Sequence, residues 1–166
     1  MVKNIILIGF MGSGKSMIAR ELGKRLKRGV ISTDDLAEAK EGQSIHEIFK
    51  FKGEAYFRTL ERDIIKEVSL RQGVIIDCGG GAVLCQENLS HLKNNGIVFY
   101  LQATPEVIYE RIKNEGHRPL LKVPDPLGCI KELYHQRLPL YNQADFTIDA
   151  NSVSIEGPVV EILKRV

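Results

Sequence analysis

Chemistry is most concentrated near the start of the chain. Gly9-Phe10-Met11-Gly12-Ser13-Gly14-Lys15-Ser16 spells G-x-x-x-x-G-K-S. It follows the apolar run Ile5-Ile6-Leu7-Ile8 and opens an amphipathic stretch, the strand-to-helix setting in which this spacing cradles phosphate. Glycines let successive backbone N–H groups turn towards one point and approach phosphate oxygens with no Cβ in the way. The helix that follows aims its positive end at the same point. Lys15 then reaches the β- and γ-phosphates, and the Ser16 hydroxyl serves Mg²⁺. Gly12, Ser13, Gly14, Lys15, Ser16 and Met17 are the candidate contacts for a nucleoside triphosphate. A tight turn without a ligand would explain the glycines but not the Lys-Ser pair that ends them.

The elements that must position this loop are legible as alternation. Ile5–Ile8, Val30-Ile31, Val74-Ile75-Ile76 and Ile97–Leu101 are short β-branched or aromatic runs, the pattern of strands buried on both faces; Phe146-Thr147-Ile148 is a weaker fifth. Between them, Ile18, Leu22 and Leu26 share one helical face opposite Arg20, Glu21, Lys24 and Lys27. Phe57, Leu60, Ile64 and Val68 form another stripe, and Thr104-Pro105 reads as a helix cap followed by proline at the first position. Strands alternating with helices imply an α/β three-layer sandwich around a five-stranded parallel sheet. The whole chain, 1–166, is expected to form one such domain. Two stretches exceed a simple crossover: a helical insert at about 32–61, and a proline- and glycine-rich segment at about 112–125 of the kind that forms a lid.

Composition excludes several classes. The 166 residues are 43% hydrophobic and 27% charged, which is globular rather than disordered. With 23 basic against 21 acidic residues the net charge is +2, so no broad positive face exists for nucleic acid or an anionic membrane. Cys78, Cys85 and Cys129 are odd in number and widely spaced, against a disulfide framework or zinc cluster, and the histidines show no H-E-x-x-H. The apolar run after Lys3 is too short for a signal or a membrane span. A cytoplasmic protein, without membrane or nucleic-acid partners and monomeric, is expected.

A phosphate loop does not name a reaction. No Asn-Lys-x-Asp reads guanine here, and Asp77-Cys-Gly-Gly80 matches D-x-x-G only as a fragment. Motor and remodelling ATPases need more chain. A short chain with an insert and a lid suits a small-molecule or nucleotide kinase. Beyond the phosphate loop, Thr33-Asp34, Phe57-Arg58-x-x-Glu61, Gly79-Gly80-Gly81-Ala82-Val83, Arg118-Pro-Leu-Leu121 and Arg137-x-Pro-Leu-Tyr141 occur in this order. As a set they resemble the shikimate kinases over nearly the whole chain. That resemblance implies a P-loop kinase fold and ATP-dependent phosphorylation of the shikimate 3-hydroxyl, with Mg²⁺, on the way to aromatic amino acids.

The residues suit that substrate, a small ring with one carboxylate and three hydroxyls. Planar guanidinium groups bind carboxylate bidentately, which fits Arg58 and Arg137, with Glu61 holding Arg58 in place. The Gly79-Gly80-Gly81 turn offers backbone N–H groups and room for a ring. Asp34 can orient the attacking hydroxyl and take its proton, and Arg118 on the lid can close over the phosphates. Arg111 resembles the arginine on which the family stacks adenine. Taken singly, each has a plainer reading: Arg58 and Glu61 as a solvated surface pair, Arg137 as a helix-end cation, Asp34 and Asp35 as cap residues. Phe49 and Phe57 read as core that can also wall a pocket, and Lys50, Lys52 and Tyr56 as surface.

Three departures from the family stand out. Its common Asp-x-Asp after the second strand is here Ser32-Thr33-Asp34, whereas Asp77 stands where a small hydroxyl residue is usual. The metal-supporting carboxylate is therefore expected to have moved from strand two to strand three, against the alternative that Ser32 and water suffice and Asp77 is a cap or ion-pair residue. Asp149 to Pro158 matches the adenine-contacting stretch poorly. Kinases for another small hydroxylated acceptor, and a non-catalytic nucleotide-binding regulator, are the alternatives.

Overall fold

The computed structural model describes residues 2–166. Five strands, β1 (Asn4–Ile8), β2 (Val30–Ser32), β3 (Ile75–Asp77), β4 (Gly96–Gln102) and β5 (Phe146–Asp149), form one sheet in the order β2-β3-β1-β4-β5. Every pairing is parallel, so each connection must return over a face of the sheet, and helices make those returns. Helices α1 (Lys15–Leu26) and α8 (Glu156–Leu163) cover one face. The other is covered by α2 (Thr33–Glu41), α3 (Ile45–Lys52), α4 (Glu54–Ser69), α5 (Gln86–Asn95), α6 (Pro105–Ile112) and α7 (Pro126–Tyr141).

Two cores follow from the alternation along the central strands. Ile6, Ile8, Ile76, Val98 and Tyr100 point into the larger one, while Ile5, Leu7, Ile75, Phe99 and Leu101 point into the one beneath α1 and α8. All of β1 is buried, which is why its sequence is a continuous apolar run. The expectation of strands buried on both faces fails for β2 and β5. Each has a single strand neighbour, and Val30 and Phe146 remain about 40% and 39% exposed.

Local signals set the helix starts. Thr104 Oγ1 accepts from the Val107 amide with Pro105 in the first turn, as its sequence indicates. Ser44 and Glu47 make a reciprocal capping box on α3. Helix α1 is different: its N-cap is Gly14, left-handed at φ 93°, with no side-chain cap and no acidic residue in its first turn. Its amide groups are thus left unclaimed at the end that a phosphate would approach.

The stretch at 32–61 holds α2, α3 and the first half of α4. Between α6 and α7 the only regular element is one helical turn, Pro119–Leu121. Among the described residues no helix is long and apolar enough to cross a membrane.

Candidate active site

Strands β1 and β3 end side by side, with Leu7 opposite Asp77, and connections from this edge leave in opposite directions around the sheet. Such a switch point opens a crevice at the carboxyl ends of the strands. A cleft of about 330 Å³ occupies it, and Lys15, Ser16, Ser32, Asp34, Asp77 and Arg118 are among its lining.

The loop after β1 forms its floor. Gly12 has φ 74°, a conformation that a side chain strains, and a Cβ there would lie 2.8 Å from Ile112 Cγ2. Lys15 is buried; its Nζ donates to the carbonyls of Gly9 (2.8 Å) and Phe10 (3.1 Å), which aim it along the loop. Burial pulls its pKa down, while the nearby carboxylates of Asp77 and Asp34 oppose that shift.

Asp77 projects from the end of β3. Its Oδ2 accepts a 2.6 Å hydrogen bond from Ser16 Oγ, so a carboxylate and the phosphate-loop hydroxyl meet across 61 residues of sequence. Asp77 is also the register partner of Ser32 on β2. Ser32 Oγ is engaged elsewhere, accepting from the Asp35 amide as the N-cap of α2. The cap is therefore Ser32, with Asp34 and Asp35 in the first helical turn. Burial raises the pKa of both Asp34 and Asp77; Lys15 opposes the shift at both sites, and the Ser16 bond opposes it more strongly at Asp77.

The remaining candidates gather around the glycine turn after β3. Gly79 N–H donates to Thr33 Oγ1 (3.0 Å), and a Cβ on Gly79 would come within 2.4 Å of Asp34 Oδ1. A Cβ on Gly81 would lie 2.4 Å from both terminal nitrogens of Arg58. Arg58 donates to Glu61 at 2.8 Å and lies over the rings of Phe57 (5.3 Å) and Phe49 (5.8 Å). Glu61 is 3% exposed, which rules out the solvated-pair reading. On the other side of the turn, Arg137 lies 5.7 Å over the Phe10 ring and makes a long 3.4 Å contact to the Gly80 carbonyl. Two guanidinium groups thus flank a glycine turn next to the phosphate loop, and both Glu61 Oε2 and Arg137 Nε are buried without a hydrogen-bond partner.

Arg118, at the cleft, is paired with Glu115 through Nε. Arg111 donates from its edge to the carbonyls of Gly12 (3.1 Å), Ala150 (2.7 Å) and Ser152 (2.8 Å). It ties the phosphate loop to the segment after β5. Lys52 and Tyr56 both engage Glu41 outside the site, as surface residues do.

Sequence reasoning missed Glu115, Asn88 and the role of Tyr141. Buried Asn88 donates to the Ala82 carbonyl at 2.8 Å and fixes the chain after the glycine turn. Tyr141 donates to the Gly80 carbonyl at 2.6 Å. Tyr141 acts on backbone 61 residues away, Asn88 on backbone only 6 residues back, and only a polar residue within an apolar helical stripe could have hinted at either.

The profile of the family "Shikimate kinase" matches residues 11–166. The chain belongs to the shikimate kinase family. A shikimate kinase of Thermodesulfovibrio yellowstonii is 42% identical over 164 residues, spanning 99% of this chain and 95% of that one. The solved shikimate kinase from Acinetobacter baumannii, in complex with shikimate, superposes with a TM-score of 0.93 at 35% identity, covering 99% of this chain and 93% of that one. A gluconokinase from Sinorhizobium meliloti covers 98% of this chain and 87% of its own at TM-score 0.58, and at 17% identity it shares the fold alone.

Proposed function

We propose that this chain is a shikimate kinase, transferring the γ-phosphoryl group of ATP to the 3-hydroxyl of shikimate. The observation that carries the reading is the pair of guanidinium groups on Arg58 and Arg137, set around a glycine turn beside a phosphate loop. A carboxylate between them gains charge-assisted, bidentate hydrogen bonds, which gives a reason for the acceptor to be an acid. Neither arginine is among the residues lining the cleft at the phosphate loop.

In this reading the backbone amides of Gly12, Ser13 and Gly14 and the start of α1 hold the β- and γ-phosphates, with Lys15 aimed at them by two carbonyls. Met17 borders the nucleotide, and Arg111, whose edge is held by three carbonyls, offers a flat face to the base. Arg58, Arg137 and the amides of Gly79, Gly80 and Gly81 hold the acceptor. Asp34 lies against that turn, orients the 3-hydroxyl and accepts its proton as the oxygen attacks. Arg118 leaves Glu115 for the transferring group, carried by a lid at about 112–125 that excludes water when it closes.

Mg²⁺ fits the donors present. A hydroxyl and a carboxylate in contact, Ser16 and Asp77, are hard oxygen ligands suited to an ion that keeps most of its waters and takes the rest of its shell from phosphate. When bound it neutralises charge on the β- and γ-phosphates. Ser16 would hold it directly and Asp77 through Ser16 or a water.

The test is acceptor kinetics on arginine variants. Arg58→Ala and Arg137→Ala should each raise the KM for shikimate by at least about 10-fold, as expected for losing a charge-assisted contact, with the KM for ATP little changed. Equal effects on both KM values, or none on shikimate, would remove the acid acceptor and favour another hydroxylated one.

A further inference from the structure

Tyr141 is the last residue of α7, and its ring is wholly buried. It stacks on Tyr100 of β4, with centroids 4.9 Å apart and planes 10° from parallel. The ring cannot swing, so the direction of its hydroxyl is set by the core. That hydroxyl donates to the Gly80 carbonyl at 2.6 Å. Burial pushes the phenol up to about 12, which keeps it a donor throughout the neutral range.

Gly80 is the middle of the acceptor turn and also touches the phosphate loop. A Cβ on it would lie 3.4 Å from the Met11 amide nitrogen and 3.6 Å from the Gly9 carbonyl oxygen. The position of this one residue sets the spacing between the loop that holds the acceptor and the loop that holds the donor phosphate. Its carbonyl has two suitors from the same helix. Tyr141 makes the short bond; Arg137, one turn earlier on the same face, makes only the 3.4 Å contact.

We infer that Tyr141 is a positioning residue for the acceptor: by satisfying the Gly80 carbonyl it seats the glycine turn on the phosphate loop and keeps the neighbouring Arg137 guanidinium from closing onto that carbonyl, so that it can turn to the acceptor carboxylate. This rests on the shikimate kinase reading. Without the hydroxyl, this half-buried carbonyl loses its short bond, and Arg137, already 3.4 Å away, is the donor at hand to close on it. The guanidinium would then be drawn inward and the acceptor would lose its grip.

Tyr141→Phe keeps the ring and its stacking, so the protein should fold. Shikimate affinity is measured by calorimetry without nucleotide, and KM values are measured for both substrates. The shikimate Kd and KM should rise about fivefold to tenfold, the loss of one good hydrogen bond, while the KM for ATP stays within about twofold. Tyr134→Phe is the control. It removes the 3.2 Å Tyr100–Tyr134 bond in the same buried cluster without touching Gly80, and should leave the shikimate Kd unchanged. An unchanged shikimate Kd in Tyr141→Phe, equal rises in both KM values, or the same rise in Tyr134→Phe would reduce Tyr141 to core packing and overturn the inference. Failure of the functional reading is seen separately, as wild-type protein that neither binds nor phosphorylates shikimate.

Discussion

Asp34 and Asp77 place two carboxylates in a largely buried site, with Lys15 near both as the cation that offsets their charge. Burial raises the Asp34 pKa above its ordinary 3.8, so the folded chain holds that proton more tightly than the unfolded chain. Stability is then lost as pH climbs from the ordinary value through the raised one, and the loss persists at neutral pH. Asp34→Asn should therefore raise the Tm at pH 7, with the gain vanishing below about pH 4. Thermal melts of both proteins across this range check it, and a variant less stable at pH 7 would contradict it. The same change should cut turnover by about 10²–10⁴, the usual contribution of a positioned base. For Asp77, Asp77→Asn should raise the Mg²⁺ requirement at fixed ATP by about 10–100-fold, and Mn²⁺ binding to the nucleotide complex, followed by its paramagnetic signal, should weaken in step. Because Ser32 is the register partner of Asp77, adding Ser32→Asp to that variant should recover part of the loss. No change in metal dependence would leave Asp77 as a structural partner of Ser16. These residues also mark the limit of sequence reading. The phosphate loop is contiguous and its chemistry could be read directly, whereas the Ser16–Asp77 bond exists only because β1 and β3 are neighbours.

The glycine turn shows how an element constrains the site without contributing a side chain. The Cβ of an alanine at Gly81 would collide with the tip of Arg58, a flexible group, rather than with backbone. Gly81→Ala should therefore fold with a Tm close to wild type while raising the shikimate KM several-fold, because the guanidinium must move aside. A matching loss of ATP affinity would show that the turn itself had shifted. At this scale the strands were legible where they are central, since burial on both faces leaves a continuous apolar run. The weaker pattern at Phe146–Ile148 reflects an outer position in the sheet, and Val30-Ile31, read as a fully buried strand, proved to be the other outer one. Strand order could not be read at all, because an apolar run says that a strand is covered but not which strands flank it. The insert was visible as helical pattern beyond the needs of a crossover. Its division into α2, α3 and α4 is set by turns at Gly42 and Gly53, both with positive φ.

Across the whole molecule, the phosphate loop and the glycine turn meet at one crevice through Gly80, so if they hold donor and acceptor as proposed, occupancy should register in global stability. A ligand that binds only the folded chain stabilises it by about 2.7 kcal/mol at 100 times its Kd, which is about 5–11 °C in Tm for a domain of this size. Shikimate alone and ATP with Mg²⁺ should each give such a shift, and gluconate, lacking the rigid ring, should give none. The most direct measurement is ADP release by the purified protein with Mg²⁺ and ATP, with and without shikimate. ADP formation that depends on shikimate and matches shikimate 3-phosphate mole for mole is the expected result. ATP binding with no response to shikimate would contradict it and send the two arginines in search of a different acid.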